Sequence, residues 1–276
     1  MERDSTRQII LWVAVAAIVI FCLFPFYWLI NTSLKSGADL SGADLLPPSP
    51  TLDNYSSIFE DEAFTMALRN SAIIAGSVTI LSLVIGAFAG YALARLHLPK
   101  KFLILAILLS ISTFPPIAIA APVFELWTDI GLYNTYLGLI LPSLAFGLPL
   151  TVYILASFFR EIPKELEEAA LVDGATRLQA FRKIIVPLAA PGVVTAGLLV
   201  FIFVWNEFLF AITLTSTPDR RPVPAAIAFF TGSQQFEIPL GTISAASVVV
   251  TVPLIILVLI FQRRIVAGLT AGAVKG

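Results

Sequence analysis

The sequence predicts an all-α polytopic membrane protein with six transmembrane helices, and three observations carry that expectation. Of its 276 residues, 58% are hydrophobic and only 13% charged, with a mean hydropathy of +0.93. Soluble domains lie nearer about 45–50% apolar and about 25% charged. Six stretches approach the roughly 20 apolar residues needed to cross about 30 Å of hydrocarbon. They are 9–32, 71–94, 102–124, 137–159, 191–214 and 243–262. Lys and Arg, finally, divide unevenly among the connecting segments. Arg3, Arg7, Arg95, Lys100, Lys101, Arg160, Lys164, Arg177, Arg182, Lys183, Arg263, Arg264 and Lys275 fall on one side, and Lys35, Arg69, Arg220 and Arg221 on the other, a split of 13 to 4. The positive-inside rule therefore places both termini and the 160–190 segment in the cytoplasm.

The first run is too long for a signal-peptide core and lacks a small-residue cleavage site after it, so it counts as a span. Residues 35–69 follow, with prolines at 47, 48 and 50 and the acidic "FEDEAF", and read as an external loop carrying short interfacial helices. Span three is interrupted by Pro115 and Pro116, and span four by Pro142, Gly147 and Pro149, so kinks are expected in both. The outer loop at 217–241 contains an apolar piece, 223–230, too short to span. It either re-enters and docks or rests as an amphipathic segment on the membrane surface. No inverted repeat or separate soluble domain is evident, so 1–276 reads as one transmembrane domain.

Several chemistries are excluded by composition. A net charge of −1 supplies no field for nucleic acid. The lone Cys22 cannot form an intramolecular disulfide, and the lone His97, in the short "RLHLPKK" turn, rules out a His-Glu-x-x-His zinc site and makes a Ser-His-Asp triad implausible. No Gly-Lys-Ser or Gly-Lys-Thr occurs, so the chain has no phosphate-cradling loop of its own. Any ATP-driven role needs a separate hydrolysing subunit.

Glu207, in "FVWNEFLF", is the one clearly intramembrane acid. A carboxylate near the bilayer centre costs about 2.5–3.5 kcal/mol on insertion scales. It faces either a water-filled path or a partner subunit, or else makes a structural hydrogen bond to a neighbouring helix or lies near the outer interface. Trp205, Asn206 and Glu207 together are candidates for lining a transport path, since an aromatic face and paired hydrogen-bonding groups suit a polar solute.

Residues 164–182, "KELEEAALVDGATRLQAFR", concentrate charge between two hydrocarbon runs. Pro163 suits a first helical position, and Glu165, Glu167 and Glu168 favour the start of a helix dipole. Asp173-Gly174 breaks that helix. Thr176 and Gln179 then form a capping box before an apolar series at Leu178, Phe181, Ile185 and Leu188. Pro187 and Pro191 stop or bend this second helix. The expectation is a cytoplasmic helix-turn-helix, either a docking element whose small residues, Ala169, Ala170, Gly174 and Ala175, admit close approach by another protein, or a capped connector with a solvated face.

This stretch resembles the EAA motif of binding-protein-dependent ABC importer permeases: Glu-Ala-Ala, three residues, Gly, nine residues, then Ile-x-Leu-Pro. It falls on Glu168, Ala169, Ala170, Gly174, Ile184 and Pro187, with Val186 where Leu is usual. The likeness extends over essentially the whole chain through "GLYNTYLGLILP", "VFIFVWNEFLFA" and "QRRIVAGLTAGAVKG", and it is greatest to the carbohydrate branch, in particular trehalose permeases of the actinobacterial type. The resemblance implies a type I ABC importer permease fold in a bacterial cytoplasmic membrane. It implies alternating access with a homologous second permease, two ATPase subunits that bind ATP and magnesium, and an extracytoplasmic solute-binding protein delivering a disaccharide, trehalose or else maltose or a related α-glucoside. It further implies that Glu168, Ala169, Ala170, Asp173 and Gly174 form a coupling helix seated on the ATPase. The tail at 271–276, with Lys275 and Gly276, would reach into the ATPase dimer interface, and the 217–241 loop would enter the open binding protein. The alternative is a stand-alone proton-coupled sugar transporter with Glu207 as carrier; such a protein would need a midplane acid and a matching broken helix.

Overall fold

The computed structural model describes residues 2–230 and 239–271, and among them every regular element is helical. In chain order these are α1 (Glu2–Ser33), a 3-10 turn (Gly37–Ser41), α2 (Asp53–Glu60), α3 (Glu62–Arg95), α4 (Lys101–Thr113), α5 (Ile117–Asp129) and α6 (Tyr136–Glu161). After these come α7 (Lys164–Val172), α8 (Arg177–Leu188), α9 (Ala190–Trp205), α10 (Leu209–Leu214), α11 (Val223–Ala228) and α12 (Leu240–Ala271). Among the described residues four helices, α1, α3, α6 and α12, are long and apolar enough to cross a membrane alone. Two bent pairs, α4 with α5 at 86° and α8 with α9 at 76°, bring the total to as many as six.

The bends sit where the chain loses backbone donors. Pro115 and Pro116 separate α4 from α5, and Pro187 and Pro191 flank the break at Ala189. Span four, by contrast, does not break: α6 runs through Pro142 and Pro149 without interruption. Pro142 leaves the Gly138 carbonyl without its helical donor, and the Trp127 indole N–H supplies one from α5 at 2.7 Å. A neighbouring element thus satisfies what proline removed. Span five departs in the opposite sense. The expected run of 191–214 ends as a helix at Trp205, and a new helix starts at Leu209.

The chain divides into two compact units, one of residues 1–65 and 227–253, the other of 66–226 and 254–276. Within the first, Asn54 on α2 closes the C-terminus of α1, donating to the Ser33 carbonyl that the helix leaves orphaned (2.9 Å) and to the Lys35 carbonyl just beyond it (2.8 Å). Lys35 is buried; its ammonium donates to the Asp44 carbonyl at 2.9 Å and sits 5.4 Å from the Trp28 ring centre. These contacts fold the 35–52 loop back on the end of α1.

Within the second unit, α6 is central, with 61% of its most apolar window buried. It packs against α4 and α9, and against α3 where Gly86 and Gly90 bring the two backbones together. A core of Ala94, Leu155, Phe159, Phe181, Ile185, Ala189 and Ala196 joins α3, α6, α8 and α9.

Candidate functional site

The 164–180 element is built from two short helices and a turn that satisfies both ends. Pro163 lies just outside the first helix in an extended conformation, so Lys164, not Pro163, is the first helical residue. Glu165 and Glu167 occupy the first turn, where the helix dipole favours them. At the other end Gly174 adopts φ +84°, its N–H donates to the Leu171 carbonyl at 3.1 Å, and the Ala175 N–H donates to the Ala170 carbonyl at 2.9 Å. This is a Schellman closure, which needs a left-handed residue at that position. Two residues on, the expected capping box forms in both directions: the Gln179 N–H donates to Thr176 Oγ1 at 3.2 Å and the Thr176 N–H donates to Gln179 Oε1 at 2.8 Å.

The apolar series after the box is split rather than continuous. Phe181 and Ile185 are buried, whereas Leu178 and Leu188 are about half exposed. A π turn over Phe181–Ile185 explains the change, because one extra residue per turn rotates the buried face. Phe181 lies against Tyr91 (4.8 Å between ring centres), Phe88 (5.3 Å) and Phe159 (6.0 Å), which seats α8 on α3 and α6.

The residues singled out in the motif are placed unequally. Glu168, Ala169, Asp173 and Gly174 are exposed, while Ala170 is buried. The residue that holds the element is Glu167, which sequence reasoning assigned only to the helix dipole. Its carboxylate lies 3.3 Å from the Arg95 Nε and accepts a hydrogen bond from the Tyr91 hydroxyl. Arg95 also donates to the Ile162 carbonyl at 2.7 Å, tying the end of α3 to the start of the loop. These groups border a cleft of about 290 Å³ whose other walls include His97, Lys164, Glu168 and Arg177. Outward, Leu166, Leu171, Val172 and Leu178 are exposed, Val172 at 87%. Exposed apolar side chains thus surround a charged, capped element.

Trp205, Asn206 and Glu207 are consecutive but do not share one environment. Trp205 is buried and stacked on Phe201, with ring centres 5.4 Å apart. Asn206 is exposed and its amide donates to the Ile202 carbonyl at 2.7 Å. Glu207 caps α10: its two carboxylate oxygens accept the N–H groups of Phe210 (2.8 Å) and Ala211 (3.0 Å). The carboxylate therefore satisfies the orphan donors of a helix that restarts inside the apolar run.

The segment at 219–226 is docked through residues the sequence did not flag. Asn70, buried on α3, donates to the carbonyls of Asp219 (3.1 Å) and Arg221 (3.0 Å) and accepts from the Tyr136 hydroxyl (2.7 Å). The Val223 N–H donates to Ser71 Oγ at 2.9 Å. Val223 and Ala225 are buried, so the 223–226 stretch docks against protein. Residues 231–238 of the loop and the tail with Lys275 and Gly276 lie outside the described residues.

The family assignment follows from sequence comparison. Residues 66–270 match the model of the binding-protein-dependent transport system inner membrane component. The chain belongs to that family. This inner membrane component is 51% identical to the trehalose transport system permease protein SugB of Mycobacterium tuberculosis, across 99% of this chain and 100% of that one. It is 41% identical to the trehalose/maltose transport system permease protein MalG of Thermococcus litoralis, with 100% of each chain covered. A solved bacterial ABC transporter involved in import of the acidic polysaccharide alginate contains a chain that superposes with a TM-score of 0.78 at 23% identity, covering 95% of this chain and 98% of that one. The last likeness establishes the ABC importer permease fold of this inner membrane component.

Proposed function

We propose that this inner membrane component is one half of the pore of an ATP-driven disaccharide importer, carrying trehalose first and maltose or related α-glucosides as alternatives. The substrate class rests on two relatives, 51% and 41% identical over essentially their full lengths, that are named for trehalose and for trehalose and maltose. The observation that carries the mechanism is the 164–180 element, separately capped at both joints, tied to α3, and presenting exposed leucines and a valine around Glu168 and Gly174.

In this mechanism residues 160–190 lie in the cytoplasm and α7 sits in a groove of an ATPase subunit, with Glu168, Ala169, Ala170, Asp173 and Gly174 forming the contact. ATP and magnesium are held by two such subunits, not by this chain. Their closure moves α7, and this chain with a homologous permease rocks from inward-open to outward-open toward a docked solute-binding protein. Residues 217–241 face that binding protein, and Lys275 and Gly276 approach the ATPase dimer. Both termini are cytoplasmic.

Cargo is tested by reconstituting this chain with its second permease, ATPase and binding protein and measuring labelled trehalose uptake. Competition by unlabelled trehalose exceeding competition by maltose supports trehalose as the preferred cargo. Uptake blocked better by an unrelated sugar overturns it.

Glu207→Gln separates this mechanism from a proton-coupled carrier. The amide keeps one acceptor for the α10 N–H groups and loses one charge-assisted bond, a change on the order of 1 kcal/mol. Sugar uptake is expected to stay within a few fold of wild type. Abolished uptake with normal membrane abundance would assign Glu207 a role in transport itself.

A further inference from the structure

We infer that the Arg95–Glu167 pair, with Tyr91, is a latch that makes α7 and α3 move as one body, so that α3 is the lever through which the coupling element acts on the outer loop. This rests on the permease reading above and adds the route of transmission. Helix α7 has nine residues, too few to hold a position by its own stability. Its placement must come from side-chain contacts, and Glu167 supplies a directed one. Both side chains are nearly enclosed, 6% exposed for Arg95 and 13% for Glu167. Among the described residues, the other ion pair joins the neighbours Asp219 and Arg220 and is far more exposed. A desolvated pair contributes little net stability but fixes geometry, because neither charge tolerates separation from the other.

The remaining features suit a lever. Of the four long helices, α1, α6 and α12 contain proline and α3 does not. Proline is one of the few causes of a sharp kink in a helix. The 34 residues of α3 extend about 51 Å at 1.5 Å per residue. Arg95 closes one end, and near the other Asn70 holds the carbonyls of Asp219 and Arg221. Displacing α7 therefore displaces the element that grips the outer loop. Arg95 and Glu167 act as positioning residues for transport, not as contacts to sugar or nucleotide.

The test uses the assembled transporter in proteoliposomes, comparing wild type with Arg95→Gln, Glu167→Gln and the double variant. ATPase co-purification, ATP hydrolysis stimulated by the binding protein, and sugar uptake are measured together. Each single variant is expected to retain the ATPase and to lower sugar taken up per ATP by about tenfold, within the range of coupling effects from such sites. The double variant should be no worse than either single, because the two residues act as one unit. Unchanged uptake per ATP, additive losses, or loss of the ATPase from the complex would each overturn the latch. A second measurement leaves the pair intact: His97→Cys and Lys164→Cys are bridged across the cleft by a short thiol cross-linker. Uptake retained after bridging supports joint motion of α3 and α7, and uptake abolished by bridging contradicts it. Wild-type vesicles that import sugar without ATP would instead overturn the permease reading, and they are measured first.

Discussion

Gly174→Val is expected to leave membrane abundance unchanged and to lower sugar uptake at least about tenfold, the scale of a 1–3 kcal/mol penalty for a disfavoured backbone conformation. At φ +84° a β-branched residue is a steric outlier, whereas glycine adopts that geometry freely. A Cβ at this position would meet nothing within 4 Å, so the fault is conformational and confined to the turn. The strain is relieved by opening the Schellman closure, which frees the Ala170 and Leu171 carbonyls and changes the angle between α7 and α8. Gly174→Asn is the matched control, since asparagine enters the left-handed region far more readily. It should retain most of the uptake. Immunoblotting of membranes beside uptake measurements separates a coupling defect from a folding defect, and a fully active Gly174→Val would show that the angle between the helices is immaterial.

Gly90→Leu acts on the fold itself and is expected to remove most of the protein from the membrane. A Cβ at Gly90 would lie 2.9 Å from the Ala156 backbone nitrogen and 3.2 Å from Leu155 Cβ, so α3 and α6 would have to separate. Gly86 faces Thr151 in the same way, and the two form a Gly-x-x-x-Gly contact of the kind that lets membrane helices approach closely. Adding even one methyl there should cost about 1–3 kcal/mol as overpacking. Gly76→Ala, on the same helix with open space around it, should be tolerated. Detergent-solubilised thermal unfolding of the three variants orders them as Gly76→Ala, Gly90→Ala, Gly90→Leu from most to least stable. Equal stability of Gly90→Leu and wild type would contradict the packing described.

Much of this architecture is legible in local pattern. Apolar run length marks the crossings, the paired prolines mark both bends, and Thr176 with Gln179 marks the capping box, because each depends on residues within a few positions of one another. Features set by distant partners are hidden. The continuity of α6 through Pro142 depends on Trp127 donating from another helix, which no property of the α6 sequence announces. The break at 206–208 is obscured because hydropathy averages over Glu207, whose carboxylate instead starts α10. Glu167 looks like an ordinary first-turn acid because Arg95, its partner, is 72 positions away. The split face of α8 follows from a π turn that helical periodicity assumes absent. One further signal lies in the sequence: "GAFAG" within an apolar run, at 86–90, announces the close approach of α3 and α6.

The proposal that work enters through α7 from an ATPase held by another chain is tested most directly in sealed proteoliposomes. They contain the complete transporter and binding protein, with labelled trehalose outside, ATP and magnesium trapped within, and the proton gradient collapsed by an ionophore. Uptake that continues without the gradient and stops when ATP is replaced by a non-hydrolysable analogue is the predicted result. Uptake by this chain alone that follows the proton gradient and ignores ATP would contradict it.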